Sequence, residues 1–145
     1  MGNSSFLHIG LTVSDFDRTV EFYSKYFGFE LEFKRRFPDG FFAAKESLYR
    51  LGEGNDATFG FIRSPDGIAM ELFQFDKMLD PELHIWNRPG FHHIALKVDD
   101  VIAKCKELEA DGVELFFQPD HMGDPADNKY WVFFKDPDGN MIELQ

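Results

Sequence analysis

An internal repeat is the sequence feature that most constrains how this chain can fold. Residues 7–13 read L-H-I-G-L-T-V and residues 92–98 read H-H-I-A-L-K-V, and four of the seven positions are identical. The matched positions include one histidine in each copy, His8 and His93. Self-similarity within a chain indicates a duplicated structural unit. We therefore expect two copies of one module rather than a single irregular fold.

The two copies also end alike. Residues 65–67 and residues 137–139 both read P-D-G, and a glutamate follows four residues after the glycine in each case. These glutamates, Glu71 and Glu143, each lie within an apolar run. Each copy therefore opens with a histidine on one apolar segment and closes with a glutamate on another.

Apolar periodicity predicts a similar order of elements in both copies. Strands are predicted from alternation and β-forming residues, and helices from apolar positions spaced by three or four. In the first copy these are a strand at 6–13, a helix from the cap Ser14 to Gly28, and strands at 29–33, 41–51, 58–62 and 68–75. In the second copy these are a strand at 92–98, a helix at 100–110 ended by Gly112, a strand at 113–118, a loop at 119–128, and a hairpin of 130–134 with 140–144.

These elements predict an α+β fold. Its two βαβββ modules span residues 6–75 and 91–145, and a polar segment at 76–90 with two prolines links them. Together the modules form a single domain over residues 1–145. The apolar fraction of 43% is sufficient for a packed core.

Charge and cysteine content restrict the classes of partner. A net charge of −11 argues against binding to nucleic acid or to anionic membranes, because both would repel so acidic a protein. The single cysteine, Cys105, excludes an intrachain disulfide, and its helical spacing with apolar neighbours predicts a small buried side chain. No signal peptide or membrane-spanning run is evident, so we expect a soluble, cytoplasmic protein.

The surroundings of the four repeated polar residues point to a metal. Alternate side chains of a strand share one face, so His8 lies beside Gly10 and His93 beside Ala95, and both small neighbours leave room for a ligand. The same alternation predicts that His92 points to the opposite face and has a structural role. A carboxylate within an apolar strand is costly unless a cation stabilises it.

Two imidazoles and two carboxylates form a chemically consistent set of metal ligands. They would surround one divalent ion with nitrogen and oxygen donors, which suits nickel, zinc, manganese, cobalt or iron. Four protein ligands leave positions open for a substrate, as a catalytic metal requires. The predicted metal ligands are therefore His8, Glu71, His93 and Glu143.

Four longer motifs resemble those of the vicinal oxygen chelate superfamily. They read F-x-H-I-x-L-x-V-x-D, F-Y-x-x-x-F-G-F-E-L, G-x-H-H-I-A-L-K-V-D-D and D-P-D-G-N-x-I-E-L, at residues 6–15, 22–31, 90–100 and 136–144. That superfamily includes glyoxalase I, methylmalonyl-CoA epimerase, extradiol dioxygenases, and fosfomycin and bleomycin resistance proteins. The resemblance implies paired βαβββ modules curled around a metal held by the four residues named above. It also implies a homodimer with sites where modules of two subunits meet.

The order His, Glu, His, Glu is most similar to that of bacterial glyoxalase I. The resemblance thus implies a metal-dependent lyase or isomerase whose small-molecule substrate carries two adjacent oxygens. We expect proton abstraction next to a carbonyl through a metal-bound enediolate, with Glu143 or Glu71 as the base.

Three alternative functions follow from the same resemblance. A methylmalonyl-CoA-type epimerase usually has glutamine at the position of Glu71, and an iron-dependent ring-cleaving dioxygenase has histidine there. A metal-free drug- or metabolite-binding protein of the bleomycin resistance type needs none of the four ligands.

One departure from glyoxalase I concerns the co-substrate. That enzyme usually places an arginine, which holds the glutathione carboxylate, where this chain has Thr12. Other cations that could hold an anion are Lys34, Arg35, Arg36 and Lys129.

Overall fold

The structure, a computed structural model, describes residues 2–82 and 85–145. Residues 83 and 84, which fall in the predicted linker at 76–90, lie outside the described residues. The chain divides into two compact units, Met1–Asp80 and Pro81–Gln145.

The first unit contains one four-stranded sheet. Its elements, in chain order, are β1 (His8–Thr12), α1 (Phe16–Phe27), β2 (Glu30–Arg36), a short helix α2 (Glu46–Tyr49), β3 (Ala57–Arg63) and β4 (Ala69–Phe75). The strands lie in the order β1-β4-β3-β2. The first strand pairs parallel with the last, and the other pairs are antiparallel.

The second unit repeats this connectivity. Its elements are β5 (His93–Leu96), α3 (Val101–Ala110), β6 (Asp120–His121), β7 (Tyr130–Lys135) and β8 (Met141–Leu144), with strand order β5-β8-β7-β6. Again the first and last strands pair in parallel. The predicted α+β fold with two βαβββ modules is confirmed.

Aspartates begin the two long helices. The carboxylate of Asp15 accepts a hydrogen bond from the backbone N–H of Arg18 at 3.0 Å, and Asp100 caps α3 in the same way. The prediction of Ser14 as the cap was wrong by one residue, because its hydroxyl instead accepts from the Arg18 guanidinium at 2.7 Å. Gly28 ends α1 in the left-handed conformation, at φ 68°, as its position in the sequence predicted.

The strand predicted at 41–51 was wrong. Residues 43–45 form a 3₁₀ turn that leads into α2. Phe41 and Phe42 are consecutive rather than alternating, and both rings pack against Phe37, at 4.5 and 4.8 Å between centroids. Both side chains therefore pack on the same aromatic ring, whereas in a strand consecutive side chains would point to opposite faces.

The strand predicted at 113–118 was also wrong. Leu115 forms only an isolated bridge with Phe134, and one further backbone bond joins the Phe116 N–H to the Phe133 carbonyl at 2.9 Å. The edge strand β6 instead forms at Asp120–His121, inside the predicted loop. The β-forming residues are thus present, but few hydrogen bonds to β7 form at this edge.

The helix α3 buries the single cysteine. Cys105 is 2% exposed on this helix, as the helical spacing predicted. Burial raises the pKa of its thiol to about 11, and the nearby carboxylate of Glu109 adds to the shift. Within the described residues, no helix combines the length and the apolar character that crossing a bilayer requires.

The sheet of the first unit has two distinct faces. The backbone N–H of Phe16, at the start of α1, donates to the side chain of Gln74 in β4, so α1 covers the face that Gln74 shares with buried Met70 and Leu72. The opposite face carries His8, Glu71 and a series of phenylalanines, as described below.

The Phe16 ring of α1 packs closely on the sheet at Gly60, so alanine substitution should be costly there but not at a glycine with open space. A Cβ added there would clash with the Phe33 carbonyl oxygen and lie 2.7 Å from Cζ of Phe16. We expect Gly60→Ala to lower the free energy of unfolding by about 1–3 kcal/mol, as overpacking does. Gly10→Ala is the matched control, because a Cβ on Gly10 meets nothing within 4 Å. Urea denaturation of both variants provides the measurement, and equal midpoints would contradict this packing.

Candidate functional site

The first histidine and glutamate of the repeat lie side by side. Nε2 of His8, in β1, is 3.3 Å from Oε2 of Glu71, in β4. The parallel register places Gly10 directly opposite Glu71, so no side chain of β1 covers the carboxylate there. The side chains of His8 and Glu71 are 34% and 20% exposed, which leaves both accessible to a ligand.

The second unit repeats this geometry. Nε2 of His93 is 3.2 Å from Oε2 of Glu143, and Ala95 stands opposite this glutamate as Gly10 does in the first unit. This pair is more enclosed, at 25% and 12% exposure. The structure thus forms both halves of the predicted ligand set, one His–Glu pair per unit.

Two phenylalanines that the sequence analysis did not identify hold the imidazoles. The edge of the His8 ring meets Phe61 at 5.4 Å between centroids, and His93 meets Phe133 at 5.1 Å, both nearly perpendicular. Each phenylalanine is the antiparallel partner of the glutamate of its unit. The repeat could have identified these phenylalanines, because each one precedes the glutamate of its copy by ten residues.

The predicted orientation of His92 was wrong. Its Nδ1 lies 2.7 Å from Nδ1 of His93, and the two rings stack at 4.8 Å. Strand β5 begins at His93, so the alternation of a strand does not extend back to His92. The Trp86 ring stacks on His93 at 5.4 Å between centroids and contacts His92 at 4.3 Å with the rings tilted. The first copy has Leu7 at this position, 76% exposed, so this contact is specific to the second copy.

The two glutamates also differ in their partners. Oε1 of Glu143 accepts a hydrogen bond from the side chain of Gln145 at 2.8 Å, so both of its oxygens are engaged. Among the described residues, His8 is the only hydrogen-bond or ion-pair partner of Glu71. The first carboxylate is therefore less restrained than the second.

The spacing and chemistry of each pair fit a divalent metal ion. Two ligand atoms that bind one ion at about 2.1 Å are separated by about 3.0 Å at right angles and about 3.4 Å in a tetrahedron. The nitrogen–oxygen distances of 3.3 and 3.2 Å fall in that interval. Among residues 2–82 and 85–145, no group of three or more His, Cys, Asp or Glu side chains is arranged to hold a metal. The described structure therefore brings the four predicted ligands together two at a time, as one His–Glu pair in each unit.

Two of the cations predicted as anion ligands are already paired. Nζ of Lys34 contacts the carboxylate of Asp17 at 2.7 Å. Arg36 forms a bidentate pair with Asp76, with Nη1 2.7 Å from Oδ1, and this hydrogen-bonded contact lowers the pKa of Asp76. Either side chain would therefore have to break an existing ion pair before it could bind an anionic ligand.

Arg35 differs from both of its neighbours. Its guanidinium lies over the rings of Phe33 and Phe59, at 4.8 and 5.1 Å from their centroids. Within the described part of the chain, no carboxylate forms an ion pair with Arg35 or with Lys129. These two cations thus keep their charge free of an ion pair.

Comparison with known proteins identifies the family. The family model described as the glyoxalase/bleomycin resistance protein/dioxygenase superfamily matches residues 5–144. A protein named lactoylglutathione lyase from Pseudomonas putida is 33% identical, over 96% of this chain and 83% of the relative.

Solved structures show the same fold. A glyoxalase family protein from Bacillus cereus superposes with a TM-score of 0.80 over 99% of this chain and 94% of that one, at 17% identity. Glyoxalase I from Zea mays superposes with a TM-score of 0.64 at 26% identity, over 96% of this chain and 43% of the maize protein. The chain therefore belongs to the glyoxalase/bleomycin resistance protein/dioxygenase superfamily.

Proposed function

We propose that this protein is a divalent-metal-dependent lyase of the glyoxalase I type. The observation that carries the proposal is the repeated His–Glu pair, at 3.3 Å in one unit and 3.2 Å in the other, at equivalent positions of two sheets. The relative named lactoylglutathione lyase supports the same class of reaction. The proposed reaction converts the hemithioacetal of a 2-oxoaldehyde into a 2-hydroxyacyl thioester.

In this proposal both pairs bind the same ion, within one chain or across a homodimer. His8 and His93 supply nitrogen ligands, and Glu71 and Glu143 supply oxygen ligands, to nickel, zinc, manganese, cobalt or iron. When bound, the ion supplies Lewis acidity to the two neighbouring oxygens of the substrate. The remaining partners are those that the sequence predicts: a small molecule, no nucleic acid and no membrane, in the cytoplasm.

The carboxylates of Glu71 and Glu143 carry the proton in this proposal. One of them removes the proton from the carbon next to the carbonyl and returns it to the neighbouring carbon. Glu71 has one described partner and Glu143 has two, so Glu71 needs to break fewer contacts to reach a substrate proton. Return of the proton to the original carbon would instead give an epimerase.

His92 determines which nitrogen of His93 is free to bind the ion. The 2.7 Å contact between their Nδ1 atoms requires one proton between them. A His93 that binds metal through Nε2 carries its proton on Nδ1, and that N–H then donates a hydrogen bond to Nδ1 of His92. Metal-binding histidines commonly donate their second ring N–H in this way, which fixes the orientation of the ring. Trp86 contacts both rings and restricts their rotation.

The first prediction from this proposal concerns metal content. Protein purified without chelators should contain about one divalent transition ion per chain, that is, one ion for the two His–Glu pairs. The His93→Ala variant should lose this ion, because one of the two nitrogen ligands is gone. The matched control is His121→Ala, since His121 packs on Tyr130 and belongs to neither pair. Elemental analysis gives the measurement. Metal retained in His93→Ala, or absent from the wild type even after titration with nickel and zinc, would refute the site.

The second prediction concerns turnover. With its ion, the wild type should convert the hemithioacetal of methylglyoxal and glutathione into the thioester, followed by absorbance. Whichever of Glu71→Gln and Glu143→Gln removes the base should lower kcat by about 10²–10⁴-fold, because glutamine cannot take a proton. The variant that loses turnover while keeping its metal identifies the base.

Two further assays separate the alternative functions. Epimerisation of a 2-methyl-branched acyl-CoA without lyase activity would favour the epimerase, and substrate-dependent oxygen uptake would favour the dioxygenase. Tight metal binding without turnover in any assay would contradict an enzymatic role for these substrates.

The third prediction tests the hydrogen bond from His93. His92→Leu recreates the sequence of the first copy and should weaken metal affinity by about 10–100-fold, the usual effect of removing such a partner. His92→Gln keeps an acceptor and should recover part of that loss. Leu7→Ala is the control, because it truncates the equivalent exposed residue of the first copy. Calorimetric titration with nickel gives the Kd values, and identical values for His92→Leu and the wild type would contradict the role of His92.

A further inference from the structure

Arg35 lies on the same sheet face as the first His–Glu pair. Gly10, Glu71, Phe61 and Phe33 form one row across the four strands, because each is the ladder partner of the next. The adjacent row on this face consists of Thr12, Phe73, Phe59 and Arg35. Residues two apart on a strand point the same way, so both rows face the same side.

The three consecutive cations of β2 are not equivalent. Lys34 is the ladder partner of Gly60 and lies over the Phe16 ring at 5.1 Å, so it points to the face that α1 covers. Its neighbour Arg36 is bound to Asp76. Arg35 alone of the three projects on the face of Glu71 and has no described carboxylate partner.

Aromatic rings connect Arg35 to the His–Glu pair. His8 contacts Phe61, Phe61 contacts Phe33 at 5.4 Å between centroids, and Phe33 lies under the guanidinium. The two rings below Arg35 attract its charge and reduce its freedom, yet they occupy none of its N–H donors. A planar guanidinium whose donors have no partner among the described residues is well suited to a carboxylate or a phosphate.

The overall charge makes such a local cation necessary for an anionic substrate. A protein of net charge −11 repels anions at long range. A substrate whose reacting end lies at Glu71 meets an apolar surface at Phe61 and Phe33, and then the positive charge of Arg35. Strands β4 and β2 are two strand spacings apart, about 10 Å, and Arg35 lies one row, about 7 Å, further along the strands than Glu71. Their backbone positions are therefore about 12 Å apart, which sets the scale of the substrate.

We infer that Arg35 binds the anionic end of the substrate, a carboxylate or a phosphate joined by an apolar portion to the reacting oxygens at His8 and Glu71. This assignment rests on the proposed function for the location of the reacting end. It makes Arg35 a specificity residue, because it stabilises the anion equally before and during the reaction and so acts on KM rather than kcat.

Equilibrium binding tests the assignment without requiring turnover. The probes for the metal-loaded protein are S-hexylglutathione, its diethyl ester with both carboxylates blocked, and hexanoyl-coenzyme A, which carries phosphates. Arg35→Gln should weaken binding of at least one anionic probe by about tenfold or more, as expected for a lost charge-assisted hydrogen bond. Binding of the diester should stay unchanged. Whichever probe depends on Arg35 distinguishes a carboxylate from a phosphate.

Two controls make the result decisive. Lys129→Gln removes the same charge from another cation without a described ion pair, and Arg35→Lys keeps the charge without the planar fork. We expect wild-type affinity for Lys129→Gln and an intermediate value for Arg35→Lys. Equal losses in Arg35→Gln and Lys129→Gln, equal losses for the diester, or no binding of either anionic probe by the wild type would overturn the assignment.

Turnover separates this inference from the proposed function. Hemithioacetals of methylglyoxal with glutathione and with neutral 2-mercaptoethanol provide an anionic and an uncharged substrate. Arg35→Gln should raise KM about tenfold for the anionic glutathione hemithioacetal only, with kcat unchanged. Arg35-dependent binding of an anionic probe without any turnover would instead sink the proposed lyase and leave the anion site standing.

Discussion

The parallel pairing of the first and last strands of each module is the constraint on which the candidate site depends. In the first unit it sets Gly10 opposite Glu71, and His8, two residues earlier, then reaches the carboxylate at 3.3 Å. The two residues are 63 positions apart (71 − 8) in the chain and meet only when β3 and β4 have folded back beside β1. A one-residue slip of this register would turn the glutamate to the helix-covered face. Correct folding of the whole module and formation of the His–Glu pair are therefore the same event.

Duplication of the module explains why so much of the fold and of the candidate site could be predicted from sequence. Duplication supplied two independent views of each position, so the histidines and glutamates were evident although each alone is an ordinary residue. Apolar spacing and the glycines that follow located both long helices to within a residue or two. The strands β3, β4, β7 and β8 were predicted to within one residue at each end, because each is a short run of apolar, β-forming side chains.

The failures arise from side-chain packing and strand boundaries that residue spacing alone does not reveal. Residues 41–51 contain enough β-forming side chains for a strand, but Phe37 and its aromatic neighbours organise them into turns and a short helix. His92 precedes its strand by one residue, so the rule of alternation did not apply to it, and the stacked Trp86 could not be foreseen from spacing. Pairing of Lys34 and Arg36 with acids from other elements was likewise invisible. Local patterns locate elements and ligands, whereas packing decides which neighbouring groups are free to act.

The two copies share one His–Glu geometry but differ in the side chains that surround it. The second unit holds its pair more tightly, because Gln145 binds the glutamate, His92 contacts the histidine, and both side chains are less exposed than in the first unit. The first unit leaves Glu71 less restrained and surrounds it with phenylalanines and an arginine without a described acid. A rigid pair is suited to retain an ion, since preorganised ligands lose less freedom when they bind. A less restrained carboxylate beside an apolar surface is suited to meet a substrate, because proton transfer requires it to move. In the proposed lyase, the second pair would therefore hold the ion and the first pair would meet the substrate.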